Sequence, residues 1–364
     1  MTLPTTALRR WWPLLLFSSV VLAASIGVTI WYSSRSDTPE LTAQQPPSVL
    51  GQVSAAEPEV PKDLTTFTIL LLGYGGPGHQ GGYLSDILQL VHIDFKTSKI
   101  TAISIPRDLW VELPNGTAGK INSAMTQGGD SSDPVGSGGP IAAAMAEVVT
   151  GLEVEYFAAV DFVGFERLIG QTLDGLEVTI TEPFEDAWYP VRGKEQEPCG
   201  FTPEEIAELT NTYSGFDLEK QFPCRYEHLK FTAGTMSMEG GDALKYVRSR
   251  HGSTGGDFSR SRRQHDVLLA IRDRLFSLQT LADVPKYYTA ITKHVQTNLD
   301  LEAAEYIAPA ARSADKFATK AVVLSTDNML QNGRSGSGQY ILSPKAGTNQ
   351  WSETHAFIQS QLAK

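Results

Sequence analysis

The sequence predicts an α/β fold, an α-β-α sandwich with a central mixed sheet, and three observations predict it. Apolar runs of strand length recur at residues 67–72, 87–94, 100–105, 156–160 and 176–180. Segments of helical composition alternate with them at 140–150, 162–169 and 258–278. Two of the strand runs are separated only by Phe95-Lys96-Thr97-Ser98-Lys99, a hairpin signal that brings antiparallel pairing into an otherwise alternating order.

The elements follow in chain order. Arg9 and Arg10 precede an uncharged run from Trp11 to Tyr32. At about 22 residues, or roughly 33 Å as a helix, that run is long enough to cross a bilayer. Trp11, Trp12, Trp31 and Tyr32 stand at its two ends, where amphipathic rings favour the membrane interface. The expectation is a single-pass membrane protein with a cytoplasmic tail at 1–10, a transmembrane helix at 11–32 and an extracytoplasmic body. A cleaved signal peptide with Arg9-Arg10 as its n-region is the alternative, though the run exceeds a usual h-region. Residues 33–63 are rich in Pro, Ser and Ala and read as a semi-flexible linker to a domain at 64–364.

Within that domain, Phe67–Leu72 ends at Gly73 and reads as a buried strand. The loop Gly73-Tyr74-Gly75-Gly76-Pro77-Gly78-His79-Gln80-Gly81-Gly82 follows; it is neither a Walker motif nor a dinucleotide fingerprint. With the hairpin turn centred at Thr97, Asp86 and Asp108 lie equally far from it. Antiparallel pairing then brings Asp86, Arg107 and Asp108 to one end of the sheet. Asp161 is placed to cap the helix at 162–169, and Asp257 to cap the long helix at 258–278. Residues 183–230 read as a polar, irregular insertion with a short acidic helix after Thr202. They contain the chain's two cysteines, Cys199 and Cys224. In an exported domain these admit a disulfide worth about 3 kcal/mol, two free thiols being the alternative.

The chain of 364 residues has a formal net charge of -11 and a pI near 5.2, which argues against sequence-independent nucleic-acid binding. Against that acidity, arginines crowd into Tyr246-Val247-Arg248-Ser249-Arg250 and Asp257-Phe258-Ser259-Arg260-Ser261-Arg262-Arg263-Gln264. Planar guanidinium groups suit phosphate or carboxylate. The apolar stripe Leu268, Ile271, Leu275 extends back by helical spacing to Gln264 and Arg260, turning both toward the body. Arg263 borders that face, and Arg262 falls near Asp266 on a solvated one. A carboxylate-bearing hairpin end beside these segments suits a diphosphate neutralised by arginines and a magnesium ion.

The ordered motifs resemble the LytR-CpsA-Psr family. They are Leu84-Ser85-Asp86-Ile87, His92-Ile93-Asp94, Ser104-Ile105-Pro106-Arg107-Asp108-Leu109, Lys120-Ile121-Asn122, the two arginine segments and Tyr340-Ile341-Leu342 to Pro344-Lys345. The resemblance implies a phosphotransferase on the outer face of the cytoplasmic membrane. Such an enzyme moves a glycopolymer from a polyprenyl-diphosphate carrier onto peptidoglycan or a related cell-wall acceptor, and holds the lipid tail in a hydrophobic tunnel. It implies diphosphate binding by Arg107, Arg248, Arg250, Arg260, Arg263 and Gln264. It also implies Mg²⁺ (or Mn²⁺) at Asp86 and Asp108, and catalytic roles for Asp86, Arg107, Asp108 and Asp257. Asp108 either joins the metal or orients Arg107, and the proton acceptor is Asp86 or Asp257. Gly75 and Leu84 stand where the family often carries an acid and an arginine. A lipid-diphosphate hydrolase and a non-catalytic lipid-binding regulator are the rival readings.

Overall fold

The computed structural model of the chain describes residues 65–79, 81–249, 256–277, 284–311 and 316–364, with 256–258, 276–277 and 309–311 described by backbone alone. The tail, span and linker expected at 1–10, 11–32 and 33–63 lie outside the described residues. Among the described residues, no helix is long and apolar enough to cross a membrane.

The strands are β1 (Thr66–Tyr74), β2 (Ser85–Asp94), β3 (Lys99–Ser104), β4 (Trp110–Glu112), β5 (Ala118–Lys120), β6 (Tyr156–Asp161), β7 (Leu176–Ile180), β8 (Phe184–Pro190), β9 (Tyr226–Phe231), β10 (Gly234–Met238), β11 (Gln296–Thr297), β12 (Ala318–Val323), β13 (Leu330–Arg334) and β14 (Tyr340–Pro344). The helices used below are α1 (Pro134–Thr150), α2 (Phe162–Arg167), α3 (Pro203–Thr212), α4 (Gly240–Arg248), α5 (Gly256–Ser277), α6 (Leu301–Ala311) and α7 (Ser352–Leu362).

The central sheet runs β11-β6-β1-β2-β3-β12. The β1-β2-β3 meander is antiparallel, while β6 joins β1 and β12 joins β3 in parallel, so the sheet is mixed as expected. Strand alternation sends even-numbered residues of β1 and β2 to one face and odd-numbered residues to the other. Leu70, Leu72, Leu88 and Leu90 pack with Ile103 against α1 and α7, through Ala142, Met145, Val149 and Ile358. Leu70, Leu90 and Ile103 are wholly buried, and each contributes roughly 2 kcal/mol of transfer free energy. On the opposite face Phe67 and Ile69 pack against Ala303 and Ile307 of α6. Leu71, Gly73, Ile87 and Gln89, farther along that face, instead line a cavity beneath α5.

α1 begins earlier than expected, at Pro134 rather than Pro140. Asp133 accepts a 2.9 Å bond from the Gly136 amide, and Pro134 stands in the first turn, where a missing N–H costs nothing. Two glycines ahead of Pro140 permit close packing: a Cβ on Gly138 would meet the Met125 carbonyl oxygen at 1.7 Å, and one on Gly139 the Phe157 ring at 2.3 Å. α5 starts at Gly256, so Asp257 lies in its first turn rather than before it.

Residues 183–230 also depart from the expectation of an irregular insertion. β8 and β9 pair antiparallel, with a register shift between Asp186 and Tyr189. Phe184, Phe231 and Tyr246 form a second core with β7, β10, α4 and α5. The excursion between β8 and β9 carries α3, capped by a reciprocal Thr202–Glu205 box, and the Cys199–Cys224 disulfide, whose Cα atoms are 5.6 Å apart.

Candidate anion-binding cleft and apolar cavity

The hairpin register builds the first part of the site. Gln89 faces Ser104 across β2 and β3, and three residues farther along each chain this register sets Asp86 against Arg107. Arg107 Nη1 bonds Asp86 Oδ1. Arg107 Nε lies 3.7 Å from Asp108 Oδ2, and Lys120 Nζ donates to Asp108 Oδ1 at 2.6 Å. Both Asp108 oxygens therefore face cations, which fits Asp108 to orienting Arg107. Asp86 has Arg107 on one oxygen and is the most exposed of the four side chains, at 38%.

The second part comes from α4 and α5. Arg248, the last residue of α4, stacks over Phe162 with its guanidinium carbon 3.8 Å from the ring centroid. Arg260 and Gln264 project from α5 into the same space. Asp86, Arg107, Arg248, Arg260, Gln264 and Tyr189 line one cleft of about 340 Å³. Burial pushes the Tyr189 hydroxyl pKa up, keeping it a neutral donor. Arg250 and the side chain of Asp257 lie outside the described residues.

Arg263 departs from the anion-binding expectation. It is only 4% exposed, and its Nε donates to the Tyr246 carbonyl at 2.9 Å and its Nη2 to the Ser249 carbonyl at 2.5 Å. Its guanidinium also lies over Phe184, at 4.3 Å. Arg263 is thus spent on the carbonyls flanking Arg248 and Ser249 and does not line the cleft. Helical spacing placed it at the border of the apolar face; the second core draws it fully inside. Arg262 ion-pairs with Glu182 and stays solvated. Asp266, expected near Arg262 on that solvated face, is buried and accepts a 2.9 Å bond from the Tyr246 hydroxyl. Burial raises both pKa values.

Three cavities converge on Asp86 and Arg107. The second, about 280 Å³, reaches past Arg260 to Asp327, Asn332 and Tyr340. The third, about 630 Å³, extends past His79 to Trp110, Lys120, Asn122 and Gln339. The 340 Å³ cleft also shares Ile87, Phe162, Val247, Arg248 and Gln264 with the apolar cavity beneath α5, about 310 Å³ in volume. Leu268, Ile271 and Leu275, the predicted stripe, line that cavity.

The glycine-rich loop folds back on this rim. The His79 ring meets Phe162 edge-on at 5.2 Å, and a Cβ on Gly75 would come within 2.9 Å of the His79 Cβ. An acidic side chain at 75 is therefore incompatible with His79 in its place. Among the described residues no group of three or more His, Cys, Asp or Glu could hold a metal. A single carboxylate, Asp86, still suits a hard cation completed by phosphate oxygens and water.

Sequence reasoning missed Phe162, Tyr189 and the buried Ser249–Asp186 pair, in which the Ser249 hydroxyl donates to Asp186 Oδ2 at 2.6 Å. Phe162 was legible only as the start of a helix. Lys120 stood inside a quoted motif, yet its bond to Asp108 depends on β4–β5 pairing.

The model of the LytR_cpsA_psr family matches residues 28–355. The polyisoprenyl-teichoic acid–peptidoglycan teichoic acid transferase TagV of Bacillus subtilis (strain 168) is 28% identical over 239 residues, 64% of this chain and 50% of TagV. The regulatory protein MsrR of Staphylococcus aureus (strain COL) is 25% identical over 64% of this chain and 56% of MsrR. The chain thus spans about half the length of these curated relatives. The crystal structure of B. subtilis TagV superposes with a TM-score of 0.54 at 23% identity, covering 82% of this chain and 98% of that one. TagT bound to LI-WTA gives 0.53 at 21%, covering 83% and 92%. These structures share the fold. With nearly its whole length matched by the family model, the chain belongs to the LytR_cpsA_psr family.

Proposed function

We propose that this protein transfers a glycopolymer phosphate from a polyprenyl-diphosphate carrier onto peptidoglycan or a related cell-wall acceptor, forming a phosphodiester. The observation that carries this reading is the junction of a guanidinium-lined cleft with an apolar cavity through Ile87, Phe162, Val247, Arg248 and Gln264. A ligand with a dianionic head and a hydrocarbon tail matches both halves; a soluble nucleotide or sugar phosphate matches one. The printed name of TagV, a transferase for a polyisoprenyl-linked polymer, supports the same substrate class.

In this reading Arg107, Arg248 and Arg260 neutralise the diphosphate and Gln264 orients it. A hydroxyl of the acceptor forms a new O–P bond to the phosphorus bearing the glycan. The bond from that phosphorus to the bridging oxygen breaks, polyprenyl phosphate leaves, and the hydroxyl proton passes to a carboxylate, Asp86 or Asp257. Positioning and charge neutralisation carry most of such a reaction. Mg²⁺ (or Mn²⁺) held at Asp86 with phosphate oxygens would supply further neutralisation when bound. We further propose that residues 11–32 anchor the domain to the outer face of the cytoplasmic membrane; the uncharged run, its aromatic ends and the disulfide support that placement.

The test is release of polyprenyl phosphate by the full chain from a lipid-diphosphate-linked glycan with Mg²⁺ and uncrosslinked peptidoglycan. Acceptor-dependent release is expected, falling by about a hundredfold or more in Arg107→Ala and Arg260→Ala. Release that ignores the acceptor would favour a hydrolase, and no release would contradict both enzyme readings.

A further inference from the structure

We infer that the 630 Å³ cavity beyond Arg107 is a saccharide subsite that holds the glycan acceptor, with Trp110 as its stacking platform. It rests on the transfer reading only for which substrate carries the saccharide. The first support is direction. Attacking and leaving oxygens lie roughly in line across the transferring phosphorus. A tail in the apolar cavity turns the leaving phosphate toward α5, so the nucleophile enters from the far side of Arg107. The 630 Å³ cavity suits that approach: it shares Asp86, Arg107, Phe162 and Arg248 with the cleft, and of these only Phe162 and Arg248 also line the apolar cavity.

The second support is chemistry. Past Arg107, the lining combines an indole with the amides of Asn122 and Gln339 and the hydroxyls of Ser123 and Ser337. A flat aromatic face flanked by neutral donors and acceptors matches the alternating apolar and hydroxyl surfaces of a sugar ring. Lys120 is already paired with Asp108 and is not free to hold a second phosphate. Its volume, roughly twice that of the 280 Å³ cavity, leaves room for more than one ring.

The third support is rigidity. Trp110 faces Lys120 across the β4–β5 ladder, and the Leu342 amide donates to the Asp108 carbonyl at 3.0 Å, tying β14 to this edge. The Asn122 backbone N–H donates to the Arg107 carbonyl at 3.3 Å, so the subsite and the guanidinium that meets the phosphate share one backbone frame.

The experiment measures transfer by the full chain with donor and acceptor varied separately, in wild type, Trp110→Ala, Trp110→Phe and Asn122→Ala. The acceptor KM is expected to rise about tenfold in Trp110→Ala and Asn122→Ala, with Trp110→Phe recovering most of the loss, while the donor KM moves less than about twofold. An unchanged acceptor KM, or a donor KM that rises as much, would overturn the assignment. A binding arm stands apart from turnover: saturation-transfer NMR with soluble glycan-strand fragments should give signal on wild type and Trp110→Phe but not on Trp110→Ala. No signal on wild type would overturn the subsite; signal without turnover would instead remove the transfer reading.

Discussion

Arg263 shows how one residue can serve the proposed anion site without lining it. Its planar fork spans the carbonyls of Tyr246 and Ser249 and so fixes the end of α4 from which Arg248 reaches the cleft. Lysine cannot span two carbonyls in one plane. Arg263→Lys should therefore raise the donor KM about tenfold with a smaller change in kcat, and Arg263→Met, leaving two buried carbonyls unpaired, should also lower the melting temperature. Separate donor titrations and thermal melts check this. The residue type was legible in the sequence as a guanidinium near a helix face. Its role was not, because whether a border position is drawn inward depends on Phe184 and Tyr246 arriving from distant strands.

Asp266 makes a second residue-scale prediction. Burial raises its folded pKa above the ordinary carboxylate value. The sign follows: stability tied to the protonated form is fully present below the unfolded pKa and is lost as pH rises through the folded one. Asp266→Asn keeps an acceptor for the Tyr246 hydroxyl and removes the ionisation. Its stability relative to wild type should therefore grow as pH climbs through that window, read by denaturant unfolding at several pH values. A difference independent of pH would contradict it.

At the scale of elements, the hairpin was legible because it is local: a period-two pattern and a short turn fix which residues face one another, to within a half-residue shift of the turn centre. β8 and β9 were not, since a long excursion separates them and the buried Asp186 within β8 looks like a surface residue until Ser249 satisfies it. The start of α1 before Pro140 was not legible either: helix propensity disfavours Gly138 and Gly139, yet Met125 and Phe157 leave room for nothing larger. The Cys199–Cys224 bond closes that excursion across 25 residues. Replacing both cysteines by serine should cost about 3 kcal/mol of unfolding free energy, measured under oxidising conditions, and the loss should vanish when wild type is reduced.

At the scale of the whole molecule, the motifs named Asp86, Arg107, Arg248, Arg260 and Gln264 of the cleft, but no motif marked its junction with the apolar cavity. That junction depends on odd-numbered positions of β1 and β2 leaving space beneath α5, where Leu71, Gly73 and Ile87 face Leu268 and Ile271. It is a property of layer spacing: among the residues only the predicted stripe on α5 hinted at it, a hydrophobic tunnel being otherwise implied by the family resemblance. The same geometry sets the central claim, that the head and the tail of one lipid diphosphate occupy adjoining spaces while a hydroxyl attacks from the other side. The most direct measurement is ³¹P NMR of the product formed by the full chain from a lipid-diphosphate-linked glycan, Mg²⁺ and uncrosslinked peptidoglycan. The account predicts a phosphodiester resonance on the wall polymer, appearing together with polyprenyl phosphate and absent in Arg107→Ala. A phosphomonoester left on the free glycan, with no diester, would contradict it.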